Sequence, residues 1–245
     1  MKLSSSTTGN GPNVSFVHGF TQTRDSWNEV VSELTTFTCT SIDAPGHGDS
    51  GDGERSLVEC GDDIAETMPD GVLVGYSMGA RMALHTALQH PHKVEKLVLV
   101  SGTAGIDNHD EREQRRISDN ALADRIEIIG VADFIHEWLS NAMFANLSTE
   151  AAQIPNRLKN SASGLANSLR FAGTGTQSPL WESLHRLQMP VLLVTGENDQ
   201  KFTLLAQRMN AEIPHSQLVT IPSCGHTVHL ENHRAFTDAL RRFLL

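Results

Sequence analysis

"VLVGYSMGARMAL", residues 72–84, joins a short apolar strand to a helical pattern through a Gly-x-Ser-x-Gly turn. Val72 to Val74 supply the strand. Gly75 and Gly79 permit a turn too tight for side chains, so Ser77 stands at its apex. The helix that follows points its first N–H groups at whatever Ser77 touches. Such a pattern is common by chance, but its position at a strand-to-helix junction makes it specific. A serine that merely caps a helix is the bland alternative. Arg81 adds a question of its own: a permanent cation lies one helical turn beyond the serine, where an ester pocket is ordinarily apolar.

Working outward, short runs rich in Val, Leu and Ile recur between helical patterns: "NVSFV" (13–17), "TCTSI" (38–42), "VLVG" (72–75), "KLVLV" (96–100), "VLLVT" (191–195) and "QLVTI" (217–221). Continuous apolar strands alternating with helices predict an α/β fold whose mostly parallel sheet is buried on both faces. No strand-like run falls between about 105 and 187. That interval holds helical patterns instead, "DEREQRRISDNALADRIEII", "VADFIHEWLSNAMF" and "SGLANSLRFAG". The expected organisation is a core of residues 1–104 and 188–245 with a helical cap, 105–187, inserted between two late strands. The cap would lie over the sheet edge where open α/β folds bind ligands. The serine-rich first dozen residues read as a loosely held lead-in, with a further strand there left open.

A chain of 245 residues can form one large α/β domain. Its formal charge of -10 argues against a nucleic-acid or membrane-surface partner, because both select a basic face. Three cysteines, Cys39, Cys60 and Cys224, have no framework spacing and read as free thiols. "MKLSSSTTGNGPN" lacks the apolar core of a signal peptide, and no run approaches the roughly 20 apolar residues of a membrane span. A soluble cytoplasmic protein is expected.

A serine needs a base, and the base needs an orienting acid. In "GENDQKF" (196–202), Asp199 follows a strand; in "PSCGHTVHLEN" (222–232), His226 follows the next. Both loops belong on the edge that carries the elbow. Glu197 competes with Asp199 as the acid. His229 forms a His-x-x-His pair with His226, which is weak evidence for a metal, and no metal site is expected. "FVHGFTQT" (16–23) follows the first strand, so the backbone N–H groups of Phe20 and Met78 could converge on a developing oxyanion. Helical side chains lean toward the N-terminus, which tips Arg81 back toward Ser77. A cation there calls for an anionic partner, either a substrate carboxylate or a protein acid.

Together, His18-Gly19, "DAPGHG" (43–48), "GYSMG", Asp199 and "GHTVHLEN" resemble the α/β-hydrolase superfamily over nearly the whole chain. More narrowly, "GYSMGAR", "GLANSLRFAGTGTQSPLW" and "GENDQKF" resemble the 2-succinyl-6-hydroxy-2,4-cyclohexadiene-1-carboxylate synthases of menaquinone biosynthesis. That resemblance implies elimination of pyruvate from a small, carboxylated, anionic substrate, without a cofactor, by a Ser-His-Asp triad acting as a base. It also implies that Arg115 and Arg157 grip carboxylates and that Trp138 lines the pocket. From spacing alone, Arg115 alternates with acids on a face that would ordinarily be only solvated. Two departures stand out: His233 where such proteins more often have proline, and Ala80 where many have a second glycine. A carboxylesterase or carbon–carbon bond hydrolase, with Ser77 as covalent nucleophile, is the second reading. A ligand-binding receptor that retains the fold is the third.

Overall fold

The computed structural model describes all residues 1–245. Seven strands form one sheet: β1 (Ser5–Thr8), β2 (Asn13–Val17), β3 (Thr38–Ile42), β4 (Gly71–Tyr76), β5 (Val94–Val100), β6 (Val191–Gly196) and β7 (Ser216–Ile221). Their spatial order is β1-β3-β2-β4-β5-β6-β7. All neighbours run parallel except β1, which pairs antiparallel with β3, Ser5 opposite Ile42 and Thr8 opposite Cys39. The expected loose lead-in is therefore an edge strand. Its residues are exposed on both faces, so the strand is held by backbone pairing with β3 and a Thr7–Thr40 hydroxyl hydrogen bond rather than by burial.

The helices are α1 (Asn28–Glu33), α2 (Leu57–Thr67), α3 (Met78–Gln89), α4 (His109–Leu139), α5 (Ile154–Arg157), α6 (Ala162–Ala172), α7 (Gln200–Glu212), α8 (Val228–Glu231) and α9 (His233–Leu244). Against one face of the sheet, α2, α3 and α7 bury Ile64, Met82, Leu84 and Met209 on Leu73, Leu97 and Leu193. Against the other, α1 and α9 bury Val30, Phe236 and Leu240 on Val74, Val98 and Val194. Strands covered on both faces must be apolar throughout, which is why β4 reads as an unbroken buried run. All three cysteines are free and buried.

Between β5 and β6 the chain makes only helices and turns. Asn108 caps α4 by accepting the N–H groups of Asp110 and Glu111. Gly130, at φ 79° and ψ 169°, breaks α4 into two segments that meet at an angle. Buried Ala123, Ile126 and Phe134 of α4 pack on Leu165, Ala166 and Leu169 of α6 in a small core of their own. This assembly lies over the ends of the parallel strands, and a cavity of about 630 Å³ remains beneath it. No helix is long and apolar enough to cross a membrane.

Candidate active site

The elbow forms where β4 meets α3. Ser77 adopts φ 51° and ψ −105°, a region few side chains tolerate, and strain of this kind costs of order 1–3 kcal/mol. The glycines that flank it are required sterically. A Cβ on Gly75 would collide with the Gly79 carbonyl, and one on Gly79 with that of Val17. Ser77 N–H donates to Val100 O at 2.8 Å, which ties the apex to β5.

Asp199 and His226 arrive on the loops after β6 and β7. His226 Nδ1–H donates to Asp199 Oδ2 at 2.6 Å, which leaves Nε2 to accept from the Ser77 hydroxyl at 3.0 Å. The other Asp199 oxygen accepts Phe202 N–H at 3.4 Å, so the carboxylate also caps α7. The ring of Phe202 packs against the imidazole at 4.5 Å. Glu197, the competing acid, instead accepts Ser223 N–H at 2.9 Å and is exposed. His229 is no ligand: its fully buried ring stacks on Trp27 at 4.3 Å and packs on Tyr76 at 4.5 Å. Desolvation drives it well below the usual histidine range, and no cluster of metal-ligating side chains exists in the chain.

Met78 is the first residue of α3, so its N–H has no partner within the helix. Phe20 N–H makes no hydrogen bond within the chain. Two buried histidines scaffold the Phe20 loop. His18 Nδ1–H donates to Gly19 O while its Nε2 accepts Ala44 N–H. His47 likewise donates to Pro45 O and accepts Thr21 N–H. Burial holds both neutral, pulling His18 down to about 4 and His47 to about 3. Gln22, which sequence reasoning passed over, accepts Gly19 N–H on Oε1 at 3.0 Å, and its buried Nε2 has no partner.

The cations fall into two places. Arg81 is 7% exposed and lines the main cavity with Ser77, Arg115 and Trp138. Its only side-chain hydrogen bond runs from Nη1 to Ala172 O at 2.8 Å, and no acid pairs with it. Burial, reinforced by the charge of Arg115, lowers its pKa to about 10. Arg115 leaves the solvated face expected from its charge pattern: Nε donates to the buried Asp119 at 2.7 Å while the residue lines the cavity. Its neighbour Arg116 pairs outward with Glu113. Arg157 is 2% exposed and lines, with Gln22, Tyr76, Ser77, Trp138 and His226, a recess of about 20 Å³ beside the elbow. Its guanidinium donates to Ala152 O and Thr21 Oγ1, again with no acid partner, and burial lowers its pKa to about 10. Trp138 Nε1, in the wall of both spaces, is buried without an acceptor.

The cavity wall also holds residues to which the sequence reading gave no role. The Arg208 guanidinium lies 3.7 Å over the Trp181 ring and pairs with Asp107 at 2.6 Å, and Lys201 lines the same wall. A serine hydrogen-bonded to histidine, two free amides and several cations thus face one cavity. That arrangement suits proton transfer or nucleophilic attack on an anionic molecule.

The model of the alpha/beta hydrolase family matches residues 16–239. A Bacillus subtilis (strain 168) protein, provisionally named 2-succinyl-6-hydroxy-2,4-cyclohexadiene-1-carboxylate synthase, is 36% identical over 96% of this chain and 92% of its own length. The Serratia proteamaculans (strain 568) protein of that name is 32% identical over 94% of this chain and 92% of its own. The solved structure of MenH from S. aureus superposes with a TM-score of 0.93 at 30% identity, covering 100% of this chain and 98% of that one. A malate-bound thermophilic esterase from Thermogutta terrifontis follows at a TM-score of 0.85 and 27% identity, covering 99% and 92%. With its elbow, its sheet order and matches over its whole length, the chain belongs to the alpha/beta hydrolase family, within which it stands beside the 2-succinyl-6-hydroxy-2,4-cyclohexadiene-1-carboxylate synthases.

Proposed function

We propose that this chain is a cytoplasmic carbon–oxygen lyase that eliminates pyruvate from a carboxylated cyclohexene precursor (SEPHCHC), giving 2-succinyl-6-hydroxy-2,4-cyclohexadiene-1-carboxylate in menaquinone biosynthesis. Ser77 Oγ removes a ring proton next to an activated carbonyl while its own proton passes to His226 Nε2. Asp199 stabilises the imidazolium that results. Electrons from the broken C–H bond expel the enolpyruvyl group by C–O cleavage. The leaving group takes up a proton from His226 as it becomes pyruvate. The Phe20 and Met78 amides hold the enolate-like oxygen, and Arg81, Arg115 and Arg157 orient the carboxylates. Proton abstraction by a placed base contributes roughly two to four powers of ten. The segment 105–187 acts as the cap that supplies Arg115, Trp138 and Arg157.

One observation carries the reading. Arg81 and Arg157, both buried against the elbow, have no acidic partner in the chain. Burying such cations is costly unless an anion completes them, and a multiply carboxylated substrate does so. The same triad would serve a carboxylesterase, and the Thermogutta relative is named an esterase. Assays of the precursor and of neutral esters, side by side, decide between them. The lyase releases pyruvate without a burst and turns neutral esters over poorly, because they leave the arginines unpaired. Efficient hydrolysis of a neutral ester, with an acyl group on Ser77 and no pyruvate from the precursor, would overturn it.

A further inference from the structure

His226 is fixed through its backbone as well as its ring. Glu231, the last residue of α8, turns its carboxylate back beneath the loop. Oε2 accepts Gly225 N–H at 2.5 Å and Oε1 accepts Thr227 N–H at 2.8 Å, so one carboxylate bridges the 224–225 and 226–227 peptides, one on either side of His226. From the opposite side the Ser101 hydroxyl donates to His226 O at 2.9 Å. Ser101 is held at φ 49°, and its own N–H donates to Val194 O at 2.9 Å. These two amides take the whole hydrogen-bonding capacity that Glu231 uses within the chain. Hydrogen bonds to an ionised acceptor are about twice as strong as neutral ones. One of them, together with the Ser101 bond on the opposite edge, grips the 226–227 peptide, and the other pins the 224–225 peptide before His226, so the three bonds restrain the direction of the His226 Cα–Cβ bond. Only the two side-chain torsions remain, and Asp199 and the Phe202 ring set those.

We propose that Glu231 is a positioning residue of the reaction: its carboxylate, opposed by the Ser101 hydroxyl, aims His226 so that Nε2 meets the Ser77 hydroxyl. The proposal rests on the reading of Ser77 and His226 as the proton-transfer pair, and not on the identity of the substrate. A displacement of about 1 Å at such a pair costs on the order of a hundredfold in rate.

The test uses Glu231→Gln, which keeps one acceptor but turns an NH2 group toward the second amide, together with Ser101→Gly, which removes the opposing hydroxyl and accepts the positive φ. Three readouts are taken on the full chain: kcat and KM for pyruvate release, the rate at which a fluorophosphonate modifies Ser77, and the downfield proton resonance of His226 Nδ1–H. The expected result is a ten- to hundredfold loss in both kcat and the modification rate, with KM within about threefold. The resonance should shift or broaden, and Ser101→Gly should act in the same direction. Should the precursor fail as a substrate of the wild type while Glu231→Gln still slows modification of Ser77, the clamp stands and the lyase reading falls. A folded Glu231→Gln protein with wild-type modification rate and an unmoved resonance overturns the clamp. If Glu231→Gln does not fold, Ser101→Gly with the same three values unchanged overturns it equally.

Discussion

Arg81→Met should make the protein more stable and less active. Arg81 is an almost fully buried cation whose one hydrogen-bonding partner in the chain is the Ala172 carbonyl. Its fall from 12.5 to about 10 corresponds to roughly 3 kcal/mol of bias against the charged form in this environment. Methionine fills a similar volume without that cost. The substitution gives back about 1–2 kcal/mol, because the Ala172 carbonyl loses its partner. The net gain of about 1–2 kcal/mol should appear as a rise in Tm of roughly 2–8 °C for a chain of this size. Turnover should move the other way. Losing a charge-assisted contact to a substrate carboxylate costs about 2–4 kcal/mol, or roughly 30- to 1,000-fold in kcat/KM. Thermal melts and urea titrations give the first quantity, and a pyruvate-release assay gives the second. A lowered Tm with unchanged kcat/KM would refute the reasoning and make Arg81 a purely structural residue.

Ser77→Ala, Asp199→Asn and His226→Ala should each lower kcat by about a thousandfold or more with little change in KM, measured by steady-state kinetics; near-normal turnover by Ser77→Ala would remove the elbow from the mechanism. Gln22→Leu leaves the buried Gly19 amide unpaired beside Phe20 and should reduce kcat about five- to a hundredfold, and an unchanged kcat would show that the loop needs no such support. His18 and His47 stay neutral in the fold down to about 4 and 3, whereas in the unfolded chain they protonate near 6.5. Their contribution is therefore complete above pH 6.5 and is lost as pH falls below it, by roughly 2 kcal/mol per histidine between pH 7 and pH 5. Urea midpoints should drop over that range, and a flat profile would contradict their burial as neutral rings.

The parts legible in the sequence are those where one local pattern has one physical cause. Strands buried on both faces must be continuously apolar, so β4 and β6 read directly from "VLVG" and "VLLVT". The elbow reads from two glycines that nothing larger could replace. Ser77, Asp199 and His226 follow strand ends, and parallel strands bring such ends to one edge. β1 is not legible because "SSTT" has no buried face, and it is held by backbone pairing with β3 and one Thr7–Thr40 hydroxyl contact, which composition does not record. Arg157 sits in a one-turn helix amid polar residues that look solvated, yet tertiary packing buries it. Glu231, Gln22 and Arg208 belong to no spacing rule; their partners lie on backbone amides or on distant elements.

The break at Gly130 separates two of the residues proposed to meet the substrate. A Cβ there would meet no atom within 4 Å, so glycine is demanded by the backbone angle alone and not by crowding. On one side of the joint lies the segment that carries Arg115, and on the other the segment that carries Trp138. Each segment is a regular helix, and the Arg125–Glu137 pair at 2.6 Å and shared packing on α6 hold the two together across the joint. Adding or removing one turn before Gly130 would move Arg115 along its axis by about 5.4 Å while Trp138 stayed against Phe20. The length of molecule that fits between the cation and the ring is thus adjustable in steps, without disturbing the elbow or the sheet beneath it. A fold that must keep its chemistry fixed can in this way change its customer through a single joint.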